Sequence, residues 1–232
     1  MKDATLARIL EARAARTPLA VVTRVSDGAQ GIVTFDGADS SLPEETVTDA
    51  SRRLTDDESG TVVADGETWF VHAHTPPYRM VVVGAVHIAQ PLVKMAVLAG
   101  FDTIVIDPRS AFATAERFPG VEVVDLWPDE AMASLRPDSR TAVITLTHDP
   151  KLDDAALGVA LRSPAFFVGS LGSTRTHAAR CKRLRREGFS ESEIARIHGP
   201  VGLAIGARAP AEIAAAILAQ VVSVRRGGAA AS

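Results

Sequence analysis

Apolar positions follow two different spacings in the part of the chain after residue 78. Short β-branched runs, of which 80–83 is the first, are typical of strands buried on both faces of a parallel sheet. The segments between the runs carry apolar residues at helical spacing, as 87–99 does. Further strands are predicted at 103–106, 121–124, 142–146 and 166–168. Further helices are predicted at 110–118, 129–135, 153–161, 174–187, 190–197 and 210–222. Five strands alternating with helices predict a doubly wound parallel sheet.

The first 75 residues show hairpin patterning instead. Strand-like runs flank Asp27-Gly28 and again Asp65-Gly66, both of which are hairpin turn signals. Helices are predicted at 2–16 and 44–54. The first of these has a narrow stripe for packing, formed by Leu6, Ile9, Leu10 and Arg13. We therefore predict a small α+β domain over residues 1–75.

Breaker residues mark the ends of the second domain. Thr75-Pro76-Pro77 interrupts the chain directly before the first buried strand, which places a domain boundary there. The small and polar residues at the other end predict a disordered tail over 223–232. The parallel sheet and its helices are thus expected to occupy 78–222.

Composition narrows the class of protein. The 232 residues are 47% hydrophobic and 23% charged, which is typical of a globular protein with a sizeable core. A net charge of −3 gives no reason to expect nucleic acid or an anionic membrane as a partner. One cysteine excludes an intrachain disulfide framework, and no apolar run reaches the roughly 20 residues of a membrane span. The Met-Lys-Asp start lacks an apolar signal region, so a cytoplasmic protein is expected.

The loop after the first buried strand partly matches a dinucleotide fingerprint. Gly84 and Ala89 fit the first and last positions of G-x-G-x-x-G/A, but Val86 replaces the middle glycine and its branched side chain crowds a diphosphate. Asp107 ends the next strand, 23 residues after Gly84, close to the usual position of a ribose-binding acid. NAD(P) binding therefore stays open as an alternative.

The loop after the fifth strand favours an anion more clearly. Gly169, Ser170, Gly172 and Ser173 lie where a strand gives way to a helix, and Arg175 lies in the first helical turn. Free backbone amides, a helix dipole and an arginine together favour a phosphate or another oxyanion. The alternative is a tight turn in which Ser173 caps the helix.

Several side chains allow two interpretations. His148-Asp149 at a strand end could act in acid–base chemistry, or Asp149 could cap the next helix. The pairs His72 with His74 and His177 with Cys181 offer too few ligands for a metal, so we predict no metal site and no catalytic residue. The basic helix 174–187 is interpreted as a solvated face.

The carboxyl ends of the strands select the candidate binding residues, because ligands of doubly wound sheets lie there. The glycine pair in 202–206 lets that segment pass close to the sheet edge and brings one more arginine toward it. The candidates are Gly84, His87, Asp107, Arg109, Thr147, His148, Asp149, Gly169, Ser170, Gly172, Ser173, Arg175 and Arg208.

Six motifs occur in an order that resembles the XdhC/CoxI family, the accessory factors of xanthine dehydrogenase and carbon monoxide dehydrogenase. They are VVVGAVHIAQPL, VIDPR, ERFPG, LTHDPKLDD, FFVGSLGSTRT and GPVGLAIGARAPAEIAAAILA, within about residues 78–222. The resemblance implies a Rossmann-like domain behind a smaller N-terminal domain. It also implies that the protein binds the molybdenum cofactor (molybdopterin) transiently, assists its sulfuration and delivers it to a molybdenum hydroxylase.

The resemblance further implies the partners of such a chaperone. They are the molybdenum hydroxylase apoenzyme and a cysteine desulfurase, and a homodimer is compatible with it. The protein is then an accessory factor without turnover chemistry of its own. The two other hypotheses are an NAD(P)-dependent oxidoreductase and a scaffold that docks on its partner enzyme without a ligand.

The chain departs from the family pattern at four places. Relatives read GAGH where this chain has Val86 in third place, carry an acid at Ala204, and have Thr or Ser at Ala209. Residues 17–60 lack the G-S-x-P-R and S-G-G-C motifs of the family's N-terminal domain, and Cys181 lies elsewhere in the chain. A phosphate of the cofactor is still expected to bind the 169–175 loop.

Overall fold

The computed structural model describes residues 3–227. The chain divides into two compact units, one up to Pro76 and one from Pro77 onward. Of the predicted disordered tail, residues 228–232 lie outside the described residues. The tail was also predicted to begin too early, because the last helix continues to Arg225 and so includes residues 223–225.

The first unit is an antiparallel sheet with two helices. Its elements are α1 (Asp3–Ala15), β1 (Leu19–Arg24), β2 (Gln30–Thr34), β3 (Gly37–Ala38), α2 (Glu44–Asp56), β4 (Gly60–Ala64) and β5 (Glu67–His74). The strand order is β3-β2-β1-β5-β4. Both predicted hairpins are present, with β1 paired to β2 and β4 paired to β5. Leu54 of α2 packs against Val22 and Val71 to form the core of this unit.

The packing stripe predicted for α1 is wrong. Leu6 and Leu10 are 41% and 56% exposed, and the buried residue of this helix is Thr5. The Thr5 hydroxyl donates to Gln30 Oε1 at 3.3 Å, so α1 meets the sheet of its unit through a polar contact.

The second unit alternates strands and helices. Its elements are β6 (Arg79–Val83), α3 (Ala89–Leu98), β7 (Asp102–Ile106), β8 (Glu122–Val124), α4 (Pro128–Leu135), β9 (Thr141–Thr145), α5 (Pro150–Leu161), β10 (Phe167–Ser170), α6 (Thr174–Arg186), α7 (Glu191–Ile194), β11 (Ile197–His198) and α8 (Pro210–Arg225).

All strand pairs of this sheet are parallel, in the order β11-β10-β9-β6-β7-β8. Along the chain, β7 and β8 are thus added on one side of β6, and β9, β10 and β11 are then added on its other side. The doubly wound, Rossmann-like prediction is confirmed. β6 and β9 are neighbours, with Val83 opposite Thr145, so the topological switch point lies between their carboxyl ends.

Helices cover both faces of the parallel sheet. Successive residues of β6 point to opposite faces, so Val82 joins one core and Val83 the other. The first core includes Leu92 of α3 and Ile217 of α8. The second core includes Leu157 of α5 together with residues of α4 and α6. This arrangement buries every residue of β6 and of β9.

Two helices predicted for this unit are corrected. Residues 110–118 form separate turns, because the Arg117 guanidinium donates to the Phe112 carbonyl at 2.7 Å, while the Thr114 hydroxyl accepts from the Arg117 amide at 3.4 Å. Residues 190–197 begin as a helix with the expected capping box at Ser190, but α7 ends at Ile194. The chain then adds β11 as a sixth strand, which the sequence analysis missed.

Among residues 3–227, the longest apolar helical stretches fall short of what is needed to cross a bilayer.

Candidate functional site

The loops after β6 and β9 touch at the switch point. Gly84 has a φ of +109°, and a Cβ atom there would lie 2.5 Å from Thr147 Cγ2. Only glycine fits this backbone and this contact. The glycine predicted to start a phosphate loop therefore also allows the two loops to approach each other. Val86, which replaces the middle glycine of the fingerprint, packs against the core shared by α3 and α8.

Asp107 ties the first loop to Arg109. Its carboxylate is fully buried and accepts from the Ala85 amide at 2.8 Å and from the Arg109 amide at 3.0 Å. The Arg109 guanidinium adds two bonds, with Nε at 2.8 Å and Nη2 at 2.7 Å. Its outer part stays exposed beside Phe112, with the guanidinium carbon 4.9 Å from the ring centroid.

This arrangement changes the interpretation of Asp107. Burial by itself raises the pKa of the carboxyl, but the bonds from Arg109 and from the Ala85 amide outweigh it and the pKa lies below its usual value. Both oxygens already accept two hydrogen bonds each, so a ribose hydroxyl would have to displace one of them. Asp107 thus holds the loop in place, and the Arg109 guanidinium is the exposed charged group.

Asp107→Asn is expected to lower the free energy of unfolding by about 2 kcal/mol at neutral pH. This loss is smaller than for breaking a fully buried ion pair, because Arg109 is partly solvated. The native pKa of Asp107 lies below the unfolded value of about 3.8, so its stabilisation is complete above that value. It is lost as pH falls through the lower native pKa. Urea unfolding of both proteins from pH 7 to pH 3 should show a difference that shrinks only at the acid end. A difference that stays constant to pH 3 contradicts the role of the charge.

The loop after β9 is organised by a carboxylate that the sequence analysis did not select. Asp153, on α5, accepts from the Thr147 hydroxyl at 2.7 Å and from the amides of Thr147 and His148 at 3.2 and 3.0 Å. His148 has a φ of +64° and is exposed. Asp149 accepts from the Lys151 amide at 2.9 Å and thereby caps α5. The structure favours the capping interpretation of Asp149, and no hydrogen bond or ion pair joins the His148 ring to the Asp149 carboxylate in the described chain.

A buried ion pair connects this loop to the next one. Arg180 of α6 is 1% exposed, lies 3.6 Å from Asp153 and donates to the Leu171 carbonyl at 3.1 Å. Asp154 lies 3.9 Å from its Nε and also pairs with Arg183. Burial is the main cause that raises the pKa of Asp153 and lowers the pKa of Arg180. The interpretation of helix 174–187 as a solvated basic face is therefore wrong at Arg180.

Two residues expected in the anion loop belong to strand β10 instead. Ser170 is fully buried and its hydroxyl shares a 2.5 Å hydrogen bond with Thr145 on β9. A Cβ on Gly169 would lie 2.6 Å from Val201 Cγ2, so this glycine allows close packing. Both residues therefore contribute to packing within the sheet. The prediction ended the strand at residue 168, two residues before its observed end.

The remaining part of the loop keeps the features of an anion site. Gly172 has a φ of +147°, and Ser173 caps α6 by accepting from the Thr176 amide at 3.1 Å. No described residue accepts a hydrogen bond from the backbone amides of Gly172, Ser173, Thr174 or Arg175. The Arg175 side chain is exposed at the same helix end. Consecutive free amides at a helix N-terminus next to an arginine suit an oxyanion.

The outer candidates are exposed. His87 lies in the loop after β6, and Arg208 lies directly before α8, where its amide donates to Glu212 Oε2 at 2.8 Å. Glu212 also accepts from the Ala209 amide at 2.9 Å, which is the half of a capping box that needs no Ser or Thr hydroxyl at the N-cap.

The histidine pairs show ordinary packing. The rings of His72 and His74 have centroids 4.1 Å apart on β5, and His177 Nε2 lies 3.5 Å from the buried Cys181 sulfur. Within residues 3–227 no group of three or more histidine, cysteine or acidic side chains is arranged to hold a metal ion.

Two buried polar residues that the sequence analysis did not select, Arg180 and Gln220, could have been found from helical spacing. Arg180 follows His177 by three residues and precedes Leu184 by four, so all three share one face of α6. Gln220 lies on the buried stripe of α8 that also carries Ile217. A single polar side chain on an apolar helix face indicates a buried network or a site.

Comparison with known proteins places the second unit in a family. The family model described as the XdhC Rossmann domain matches residues 80–221. The chain is 33% identical over 150 residues to the molybdenum cofactor insertion chaperone PaoD of Escherichia coli K12, covering 65% of this chain and 41% of PaoD. It is 32% identical over 169 residues to YqeB of the same strain, covering 67% of this chain and 29% of YqeB.

A relative from Bacillus subtilis bears the name of a probable xanthine dehydrogenase subunit. It is 29% identical over 158 residues, which cover 68% of this chain and 46% of that protein. The chain thus spans less than half the length of these curated relatives. The crystal structure of a xanthine dehydrogenase from Bacillus halodurans superposes with a TM-score of 0.68 at 24% identity, over 99% of this chain and 66% of that one. That likeness shows a shared fold.

Proposed function

The chain belongs to the XdhC family, and from that premise we propose that it is a maturation factor for a molybdenum hydroxylase of the xanthine or carbon monoxide dehydrogenase type. In this proposal it binds the molybdenum cofactor, assists its sulfuration and delivers it to the apoenzyme. The name of PaoD, a molybdenum cofactor insertion chaperone, supports the maturation role.

The observation that carries the proposal is the set of free amides at the start of α6. The amides from Gly172 to Arg175 have no acceptor among the described residues, and the exposed Arg175 guanidinium supplies a positive charge beside them. These groups fit the phosphate of molybdopterin, because each free amide can donate to one of its oxygens and the helix dipole favours its charge.

Further polar side chains lie along the same sheet edge. Arg109 is fixed by Asp107 with its outer part exposed, and its pKa is raised mainly by the hydrogen bonds to that carboxylate. His87 and His148 are exposed after β6 and β9. In our proposal these groups orient an anionic cofactor at the switch point, and the cofactor supplies the metal chemistry only in the client enzyme.

The alternative of an NAD(P)-dependent oxidoreductase loses its main support. It depended on Asp107 as the ribose-binding acid, but that carboxylate is buried and takes four hydrogen bonds from Ala85 and Arg109. Val86 still stands where the fingerprint needs glycine.

Sulfuration requires a sulfur donor outside the described residues. Cys181 is buried beside Leu184 and Phe189, so its thiol is not presented at the sheet edge. A cysteine desulfurase is therefore the partner we propose for this step, with this chain holding the cofactor during transfer.

Arg175→Ala is expected to weaken binding of purified molybdopterin to the full chain by about 10- to 100-fold, because one charge-assisted phosphate contact contributes about 1.5 to 3 kcal/mol. Isothermal calorimetry measures this. Arg186→Ala is the matched control, since Arg186 is also exposed and lies at the other end of α6. Inorganic phosphate should compete with molybdopterin in the wild-type protein and lose that ability in Arg175→Ala.

Equal affinity of both variants for molybdopterin contradicts the phosphate site. Absence of molybdopterin binding to the wild-type chain, together with unchanged binding to the hydroxylase apoenzyme, favours the scaffold hypothesis. Tighter binding of NAD or NADP than of molybdopterin in the same calorimeter favours the oxidoreductase.

A further inference from the structure

A cavity lies beside the candidate phosphate site. It has a volume of about 560 Å³ and is formed by the segment 198–207, by the inner face of α8 and by Leu171. Leu171 directly precedes Gly172, the first of the four residues with free amides. A molecule held by these amides therefore has the cavity next to it, and the volume is in the range of small-ligand pockets.

The walls of this cavity are fixed by backbone hydrogen bonds. The Val201 amide donates to the Ser170 carbonyl at 3.1 Å, and the Leu203 amide donates to the Ala216 carbonyl of α8 at 3.2 Å. The glycine in between has a φ of +107°, and a Cβ there would lie 3.4 Å from Ala216. The segment is thus held against both β10 and α8, and the cavity is formed without a ligand.

One buried side chain offers a free donor inside the cavity. Gln220 is 5% exposed and lines the cavity, and its Oε1 accepts from the Gly202 amide at 2.7 Å. This bond fixes the orientation of the side-chain amide. Nε2 then has two hydrogens and no acceptor among the described residues. A ligand atom in the cavity that accepts from Nε2 therefore gains a hydrogen bond from a side chain whose orientation is already fixed.

The other walls are flat or apolar. The His198 ring lies on Phe167 with centroids 4.5 Å apart and an angle of 5° between the rings. Burial lowers the pKa of His198, so the imidazole is neutral at neutral pH. Leu171, Ile213 and Ala216 complete the lining with apolar side chains. Such walls suit a planar ring that carries an acceptor.

We propose that this cavity binds an oxo-substituted bicyclic nitrogen heterocycle, the class to which pterins belong, with Gln220 Nε2 donating to a ring acceptor. The inference rests on the proposed function, since it places the ring of the cofactor next to the phosphate held at α6. Gln220 then binds the ring, and Arg175 binds the phosphate.

The test uses 6-hydroxymethylpterin, which has the ring and no phosphate, with pterin fluorescence as the readout and the full chain as the protein. Saturable quenching is expected with the wild-type chain. Gln220→Leu should weaken it about 10-fold, the effect of one hydrogen bond to a buried amide. Ala204→Trp should abolish it, because Ala204 is exposed at the cavity and an indole there blocks the entrance.

Two controls separate this site from general effects. Ala219→Trp makes the same change at an exposed position of α8 that does not line the cavity, and it should bind the pterin as the wild type does. Arg186→Ala, at the far end of α6, should also leave binding of the phosphate-free pterin unchanged. Thermal unfolding confirms that each variant is folded at the assay temperature.

The outcomes distinguish the two proposals. Pterin quenching that is equal in Gln220→Leu, Ala204→Trp and the wild type overturns the ring site, as does a wild-type chain that binds molybdopterin but no pterin. Either result leaves the phosphate site standing if Arg175→Ala still weakens molybdopterin binding. Pterin binding that depends on Gln220, without any effect of Arg175 on molybdopterin, supports the ring site and removes the phosphate site.

Discussion

Asp153→Asn is expected to lower the free energy of unfolding by about 3 to 5 kcal/mol, the largest effect of any single change at this edge of the sheet. It removes the nearer of the two carboxylates beside Arg180, which is 1% exposed, and leaves only Asp154 at 3.9 Å; removing one partner of a buried ion pair has a cost of this size. It also removes the charged acceptor of the Thr147 and His148 amides. Urea unfolding monitored by circular dichroism gives the value.

The matched control is Asp125→Asn, because Asp125 is exposed at the end of β8. Its effect should stay below about 0.5 kcal/mol, as for other surface substitutions. The double variant Asp153→Leu with Arg180→Met removes both charges and should be less destabilised than Asp153→Asn alone. If the double variant is less stable than Asp153→Asn, the ion pair itself stabilises the fold. The loss in Asp153→Asn then does not come from an unpaired buried charge, and our explanation is wrong.

Gly84→Ala is expected to lower the free energy of unfolding by about 2 to 4 kcal/mol. A residue with a side chain is strained at a φ of +109°, and the new Cβ would lie 2.5 Å from Thr147 Cγ2. The loops after β6 and β9 must then separate at the switch point, so molybdopterin binding should fall as well. Thermal and urea unfolding measure the first effect, and calorimetry measures the second.

A double-mutant cycle separates strain from clash. Thr147→Ser removes Cγ2 and keeps the hydroxyl that donates to Asp153 at 2.7 Å. In the Gly84→Ala background it should restore the part of the stability lost to the clash, about 1 kcal/mol or more, while the backbone strain remains. Strict additivity of the two changes shows that the loops do not meet as described.

The sheet was predictable because its strands are short, apolar on both faces and separated by helices with clear periodicity. β6 shows this best, since all of its residues are buried. β11 was missed because a two-residue strand has no periodicity, and Ser190 with Glu193 gave a genuine helix start just before it. The helix expected at 110–118 failed because Arg117 and Thr114 bond to the local backbone instead.

The candidate site was predictable in position but only partly in detail. The rule that ligands lie at the carboxyl ends of parallel strands selected loops that the structure places at that edge of the sheet, and Gly84, Thr147 and Arg175 lie in them. The sequence could not show that Ser170 bonds to Thr145, since their contact depends on the register of β10 and β9. For a similar reason the sequence could not show that Arg109 bonds to Asp107, because a carboxylate at a strand end looks the same in the sequence with or without such a partner.

The pairing of Asp153 with Arg180 also determines how much the rim of the sheet can adapt. One partner holds the backbone of residues 147–148, and the other holds the carbonyl of Leu171. Opening either loop would therefore take a hydrogen-bond partner away from a buried charged group, Asp153 in one case and Arg180 in the other. The ordering of both loops is completed when the chain folds, so an incoming molecule meets a preorganised surface and loses little affinity to loop entropy.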